Sequence, residues 1–119
     1  MKTTSRALLV AIFFLALGAC TDSPDSGAIQ VTSTADECQI AADTATSGEI
    51  VFEVTNRGEE ATEFYLYASD GLQVIGEVED IGPGLTRNLV VEAVPGDYLT
   101  ACKPGMTGEG IRAPFTVTE

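Results

Sequence analysis

From residue 29 onward the chain consists of short runs of β-forming residues separated by turn-forming residues. The clearest run spans residues 49–55, where Ile50, Phe52 and Val54 fall on one face and polar or smaller residues fall on the other. A period of two over this length is typical of a β-strand with one buried face. Because no stretch shows a 3.6-residue period, the sequence predicts an all-β domain.

Turn-forming dipeptides separate these runs at regular intervals. Asp70-Gly71 suits a tight hairpin that needs positive φ, and three Pro-Gly pairs at 83–84, 95–96 and 104–105 suit β-turns. The runs between the turns predict eight strands, at 29–33, 39–46, 49–55, 63–67, 72–78, 86–92, 97–102 and 111–118. Short strands at this spacing indicate a β-sandwich or a small barrel.

The first 19 residues have the features of a secretory signal. Lys2 and Arg6 precede an apolar run at 7–17, and small residues follow it up to Cys20. The apolar run is too short to cross a bilayer as a helix, which takes about 20 residues. Residues 17–20, Leu-Gly-Ala-Cys, resemble a bacterial lipobox.

That resemblance implies a lipoprotein signal peptide at 1–19, cleavage before Cys20 and a lipid on the Cys20 sulfur. The alternative is an ordinary signal peptide cut near Ala19, which leaves Cys20 as a free thiol. Residues 20–28 are expected to form the lipidated cysteine and a flexible tether, because their composition is polar and rich in small residues. The folded domain is expected at 29–119.

Removal of residues 1–19 leaves four basic and 18 acidic residues, a net charge of −14. A surface this acidic repels nucleic acid, so a nucleic-acid partner is not expected. The chain contains no histidine, hence no side chain that is an ordinary general base near neutral pH. It also lacks a nucleophile elbow and a glycine-rich phosphate loop, and we therefore expect a protein that is not an enzyme.

If Cys20 carries lipid, Cys38 and Cys102 remain as a pair in a compartment that permits disulfides. They form either a disulfide, which would stabilise a small exported domain, or two thiolate ligands for a metal ion. A reversible pair, oxidised in one state and metal-bound in another, is a third arrangement. Strand alternation places Cys38, Glu63, Glu79 and Cys102, together with Asp80 and Met106, at the same end of the domain.

The chain also resembles a known family, the cupredoxin-like domain at the N-terminus of the bacterial iron-uptake component EfeO. The residues that carry the resemblance are Cys38, Gly-Glu-Ile-Val-Phe-Glu-Val-Thr-Asn at 48–56, Glu63-Phe64, Glu77, Glu-Asp-Ile-Gly-Pro-Gly at 79–84, Pro-Gly-Asp-Tyr at 95–98, and Cys102. The Pro-Gly-x-Tyr stretch before Cys102 is similar to the copper-cysteine strand of cupredoxins in general.

The resemblance implies a cupredoxin-like Greek-key β-sandwich of about eight strands. It assigns Cys38, Glu63 and Cys102 to a copper or iron ion, with Glu77, Glu79 and Met106 as additional ligand candidates. The two-His blue-copper site cannot exist here, because the chain has no histidine. Two thiolates with a carboxylate suit Cu(I) or zinc better than a hard ion.

With the signal-like N-terminus and the lipobox, we expect a cell-envelope lipoprotein, exported and lipid-anchored at the periplasmic or outer face of the cytoplasmic membrane. The family resemblance adds the expected role, which would be accessory to iron uptake or electron transfer, with an iron permease or a separate EfeO-type helical protein as partner. The long helical domain of full EfeO proteins is not part of this sequence. The alternative function is a disulfide-stapled β-sandwich that acts as an interaction module without metal.

Overall fold

Nine β-strands and one short 3-10 turn account for most of residues 27–119, the part of the chain that the computed structural model describes. The strands are β1 (Ile29–Ser33), β2 (Cys38–Ile40), β3 (Thr44–Thr46), β4 (Gly48–Asn56), β5 (Thr62–Ala68), β6 (Val74–Ile81), β7 (Thr86–Ala93), β8 (Gly96–Cys102) and β9 (Ile111–Thr118), and the turn spans Pro104–Met106. A four-stranded sheet in the order β2-β1-β4-β7 packs on a five-stranded sheet in the order β3-β9-β8-β5-β6. The predicted all-β Greek-key β-sandwich is confirmed.

The single strand predicted at 39–46 is wrong, because the chain changes sheets within it. β2 pairs with β1 in the four-stranded sheet, whereas β3 pairs in parallel with β9 in the five-stranded sheet. Backbone hydrogen bonds from Ala41 N–H to Gln30 O and from Thr116 N–H to Asp43 O mark the two sides of the crossing. Strands that bend from one sheet into another are a known way to close a sandwich.

The sixth strand also differs from its prediction at 72–78. Asp70 Oδ1 accepts hydrogen bonds from the backbone N–H groups of Leu72 and Gln73, so these residues belong to the turn. At its other end the strand continues to Ile81, through an irregularity in the β5–β6 register where Asp80 has a φ of 55°. The extension places Glu79 on β6, one residue beyond the predicted end of the strand.

The directions of the strands follow the alternation that the sequence indicates. When β2 and β3 are counted as one interrupted strand, every neighbouring pair agrees with simple up-and-down succession, including the parallel pairs β1–β4 and β3–β9. The loops β1–β2, β4–β5, β6–β7 and β8–β9 therefore lie at one end. We call this the loop end of the sandwich.

The core lies between the two sheets and is centred on three phenylalanines. Phe52 of β4 packs against Phe64 of β5 with ring centroids 5.1 Å apart, and against Phe115 of β9 at 5.4 Å. All three rings are buried. Because Phe52 comes from one sheet and its two partners from the other, this cluster joins the layers.

Within residues 27–119, no helix is long and apolar enough to span a membrane. The predicted signal peptide at 1–19, the lipidation of Cys20 and most of the tether at 20–28 fall outside the described residues.

Candidate functional site

Cys38 and Cys102 form a disulfide near the loop end, with an S–S distance of 2.00 Å and a Cα–Cα distance of 5.6 Å. Cys38 begins β2, at the edge of the four-stranded sheet, and Cys102 ends β8, inside the five-stranded sheet. The bond therefore links the two layers. Of the arrangements that the sequence allows for this pair, the structure has the disulfide.

The two sulfurs differ in their surroundings. Cys102 is fully buried within the core, whereas Cys38 is only half-buried and packs against the edge of the core. In β8, Tyr98, Thr100 and Cys102 alternate into the interior, as the period of a strand requires. The loop after Cys102 returns so closely over the Cys102 carbonyl oxygen that a Cβ on Gly110 would lie 2.5 Å from it.

Glu63 faces away from the disulfide. Its neighbour Phe64 is opposite Cys102 in the β5–β8 register, and both side chains are in the core. Since successive side chains of a strand point to opposite faces, Glu63 lies on the outer face of the five-stranded sheet. The backbones of Glu63 and Lys103 nevertheless exchange two hydrogen bonds, so the main chain of Glu63 lies beside the residue that follows Cys102.

The carboxylates predicted as ligands gather instead around Tyr65. The Tyr65 hydroxyl donates a hydrogen bond shared between Glu63 Oε2 at 3.0 Å and Glu79 Oε1 at 3.2 Å. Glu77 is the register partner of Tyr65 on β6, so it lies on the same outer face. We call Tyr65, Glu63, Glu77 and Glu79 the outer-face tyrosine cluster.

Two cationic side chains cover the aromatic part of this face. Lys103 Nζ lies 4.1 Å from the centroid of the Tyr65 ring, and Arg112 Cζ lies 4.8 Å from that of Tyr67. The two tyrosine rings are stacked, with centroids 5.3 Å apart and planes 6° from parallel. Both tyrosines are buried although they lie on the outer face, because the long cationic side chains shield them.

The surroundings of Tyr65 also shift its titration. Burial raises the pKa of the Tyr65 hydroxyl well above its usual value, and the hydrogen bond and negative charge of Glu63 raise it further. Smaller effects in the same direction come from the charge of Glu77 and the hydrogen bond to Glu79. Tyr65 is thus held as a neutral donor to two carboxylates.

This shift predicts a loss of stability in alkali. A folded-state pKa above the unfolded value means that the contribution of Tyr65 is fully present below about pH 10 and is lost as the pH rises further. We expect the free energy of unfolding, measured by urea titration between pH 9 and pH 11 or so, to fall less in Tyr65→Phe than in the wild type. Tyr98→Phe, which retains Tyr65, should show the wild-type loss; equal pH profiles for Tyr65→Phe and wild type would contradict the assignment.

Met106, the soft-ligand candidate, lies on the 3-10 turn after β8 and is 38% exposed. Its backbone N–H donates a hydrogen bond to Lys103 O, which holds the turn at the loop end. Within residues 27–119, no group of three or more His, Cys, Asp or Glu side chains is arranged to hold a metal ion. The metal assignment of Cys38, Glu63, Cys102, Glu77, Glu79 and Met106 stays a prediction.

Asn56, which organises the loop end, is not among the predicted site residues. The buried Asn56 side chain donates to Glu60 O at 2.7 Å and to Ile81 O at 2.8 Å, and its Oδ1 accepts from Gly58 N–H. Its backbone exchanges hydrogen bonds with Leu85 and Gly84. The available signal was an Asn-x-Gly turn directly after a strongly alternating strand, since an Asx side chain there can bond to the backbone two residues on.

A cavity of about 420 Å³ lies beside Asn56 at the loop end. It is lined by residues 34–36 of the β1–β2 loop, residues 56–60 of the β4–β5 loop and Pro104. A second, smaller cleft of about 180 Å³ lies beside the disulfide and is lined in part by Cys38, Ala42 and Asp43. Of the two disulfide-bonded cysteines, Cys38 is the one that borders this cleft.

A family model described as a cupredoxin-like domain matches residues 6–117. The chain belongs to the cupredoxin-like family. The finer assignment to EfeO-type domains, which the sequence analysis makes, is narrower than this match. A comparison with curated proteins found no match.

Solved structures with the same fold include three bacterial proteins. Dithionite-reduced auracyanin from Roseiflexus castenholzii superimposes with a TM-score of 0.61 at 16% identity, covering 77% of this chain and 97% of that one. The azurin Az-iso2 from Methylomonas sp. strain J gives 0.59 at 15% identity, covering 77% and 98%. Auracyanin A from Chloroflexus aurantiacus, described as a blue copper protein, gives 0.57 at 14% identity, covering 76% and 98%. At these identities the matches establish a shared fold.

Proposed function

We propose that this protein is an exported, lipid-anchored cupredoxin-like protein of the cell envelope that binds copper(I) through Cys38 and Cys102 when their disulfide is reduced. The observation that carries the proposal is the position of the two cysteines. They come from different sheets, their Cα atoms are 5.6 Å apart, and they lie near the loop end of a fold shared with blue copper proteins.

The ligand atoms that the protein offers decide which metal ion it can bind, and whether the cysteines must be reduced first. A disulfide offers no thiolate, and the chain has no histidine, so the oxidised protein does not fit a copper ion. The reduced pair offers two adjacent thiolates, and soft sulfur ligands select Cu(I) over hard ions such as ferric iron. A bound copper ion would supply a one-electron redox centre or a transferable cargo.

Glu63 is left out of this ligand pair. Its carboxylate accepts the hydrogen bond of Tyr65 on the outer face, whereas Cys102 points into the core. The additional candidates Glu77 and Glu79 lie on the same outer face as Glu63. Cys38 and Cys102 are therefore the residues on which the metal proposal depends.

The proposed setting follows from the N-terminal sequence. Cleavage before Cys20 and lipidation of its sulfur would anchor the acidic domain to the membrane through a short tether. In that position the protein would act without catalysis, as an accessory of iron uptake or electron transfer. The partner would be an iron permease or a separate helical protein of the EfeO type.

A second candidate function is favoured by the disulfide itself. A bond that joins the two sheets across 64 residues of sequence stabilises a small exported domain without any metal. The protein would then be a permanently oxidised interaction module at the cell surface. The two candidates differ in whether the reduced pair binds copper.

The deciding experiment is a Cu(I) titration of the full chain in a Cys20→Ser background, so that Cys20 cannot contribute a thiol. The protein is reduced anaerobically with a dithiol, freed of reductant and titrated against a chromophoric Cu(I) chelator. We expect one Cu(I) per chain in the reduced form and none in the oxidised form. Cys102→Ser should abolish binding, and Glu63→Gln should leave it unchanged.

Two results would contradict the proposal. Failure of the reduced protein to compete with the chelator would favour the permanently oxidised module. Undiminished binding by a Cys102→Ser variant that keeps the wild-type circular dichroism spectrum would place the metal elsewhere.

A further inference from the structure

The geometry points to Cys38 as a thiol-exchange site: we infer that an incoming neutral or cationic thiol attacks the Cys38 sulfur through the cleft beside it and opens the disulfide. The inference concerns how the bond is broken. It rests on the proposed function only in that the opened pair is the proposed copper site, and the exchange itself needs no metal.

The first support is the unequal burial of the two cysteines. Cys102 is fully buried in the core, between Phe64 and Ile111 of the neighbouring strands in the β-sheet register. Cys38 is half-buried on an edge strand of the other sheet. Thiol–disulfide exchange needs a thiolate to reach one sulfur, so access alone selects Cys38.

The second support is the cleft, which exists because of the crossing between sheets. β3 pairs with β9 only at residues 116–118, so β9 residues 113–115 have no strand beside them on that edge. The cleft of about 180 Å³ at this place is lined by Cys38, Ile40, Ala42, Asp43 and residues 113–115. The small side chains of Ala42 and Ala113 leave room for a slender thiol rather than for a folded domain.

The negative charge around the cleft further restricts which thiols react there. Asp43 lines the cleft, Glu37 directly precedes Cys38, and the described residues carry 16 acidic against four basic side chains. Because the attacking species is a thiolate, a further negative charge on the reagent adds to its repulsion by this field, whereas a positive charge on the reagent offsets it. In water, Coulomb's law gives about a threefold change in encounter for each unit of reactant charge at a separation of about 7 Å from a carboxylate.

The reaction balances as an ordinary two-step exchange. The thiolate attacks Cys38 Sγ, the bond between the two cysteine sulfurs breaks, and the electron pair leaves on Cys102 Sγ, which takes up a proton from water. With a dithiol, the second thiolate of the reductant attacks the reductant sulfur that is bonded to Cys38 Sγ. This step forms the internal disulfide of the reductant and releases Cys38 as a thiolate. With a monothiol, Cys102 stays close enough to reverse the first step, so we expect dithiols to complete the reduction and monothiols to stop at a mixed disulfide.

The test uses the oxidised full chain without any metal. The protein is treated with cysteamine, which is cationic, or with 2-mercaptoethanesulfonate, which is anionic, then quenched in acid, alkylated and mapped by peptide mass spectrometry. We expect the mixed disulfide on Cys38 and the alkylated thiol on Cys102. An adduct on Cys102, or adducts divided equally between the two, would overturn the inference.

The rate of mixed-disulfide formation provides an independent test. The rate measured with each thiol is divided by the rate of the same thiol with a neutral small-molecule disulfide. At low ionic strength we expect cysteamine to exceed the anionic thiol by about tenfold, and at about 0.5 M salt the difference should largely vanish. Equal corrected rates, or a rate equal to that of global unfolding, would overturn the inference.

A matched pair of variants locates the effect in the cleft. Asp43→Asn should raise the rate of the anionic thiol by about threefold. Glu92→Gln removes the same charge from an exposed position on β7 of the four-stranded sheet and should leave the rate unchanged. Equal responses of the two variants would mean that the overall charge of the protein governs the reaction rate. That result would contradict attack through the cleft. Because these measurements involve no copper, their failure is distinct from failure of the copper titration.

Discussion

Loss of the Cys38–Cys102 bond is expected to lower the free energy of unfolding by about 4 kcal/mol. The bond spans 64 positions of the sequence, and in the chain-entropy model a closed loop of that length restricts the unfolded chain by about this amount. The measurement is urea unfolding of the oxidised protein and of the Cys38→Ala, Cys102→Ala and double variants, with the slope of the transition compared as well.

The pattern among these variants separates the bond from the side chains. Either single substitution removes the whole bond, so each should cost nearly as much as the double variant, rather than half of it. The Cys102→Ala variants carry an additional cost, because they also truncate a buried side chain. A Cys38→Ala variant with the wild-type unfolding midpoint would mean that the bond does not form in solution.

Truncation of Phe52 is expected to cost about 3–5 kcal/mol, the range for removing a fully buried aromatic ring. Phe52 is the only one of the three core phenylalanines on the four-stranded sheet, and it contacts both Phe64 and Phe115 of the other sheet. Phe52→Ala therefore leaves a cavity at the contact between the layers. Urea unfolding of the oxidised variant measures the effect.

Val90→Ala is the control for this prediction. Val90 lies on the neighbouring strand β7, but its side chain faces outward and is 56% exposed. Its truncation should change the free energy of unfolding by less than about 1 kcal/mol, since little area leaves the core. Similar losses for the two variants would contradict the placement of Phe52 at the centre of the sandwich.

The strands were predictable where one face is apolar over several residues. In β4, three buried apolar residues alternate with less buried ones, and the pattern alone fixes both the strand and its inward face. The crossing near Ala41 was not predictable in this way, because residues before and after it have the same β-forming character while pairing with different sheets. Strand periodicity describes local geometry and carries no information about the partner strand.

The candidate site was also predictable only in part. The shared end of Cys38, Glu63 and Cys102 follows from counting strand directions, and the structure has those directions. The separation of Glu63 from Cys102 was also readable, because Phe64 had to point into the core and its neighbour therefore had to point out. The oxidation state of the cysteines was not readable, since pairing depends on the register between strands that are distant in sequence.

Asn56 and Tyr65 show why the polar network of the site could not be derived from residue types. The bonds of Asn56 go to backbone atoms of two loops and of the end of β6, and those of Tyr65 go to carboxylates on two strands. Each requires that the loops and strands already be in place. Buried polar groups need partners, but the sequence does not say which partners the fold will bring.

The most direct test is native mass spectrometry of the Cys20→Ser protein with one equivalent of Cu(I), before and after reduction by a dithiol. The oxidised protein should be two hydrogens lighter than the thiol form and carry no copper, and the reduced protein should carry one copper ion. Copper on the oxidised protein, or none on the reduced protein, would contradict the claim that the Cys38–Cys102 pair alternates between a disulfide and a metal site.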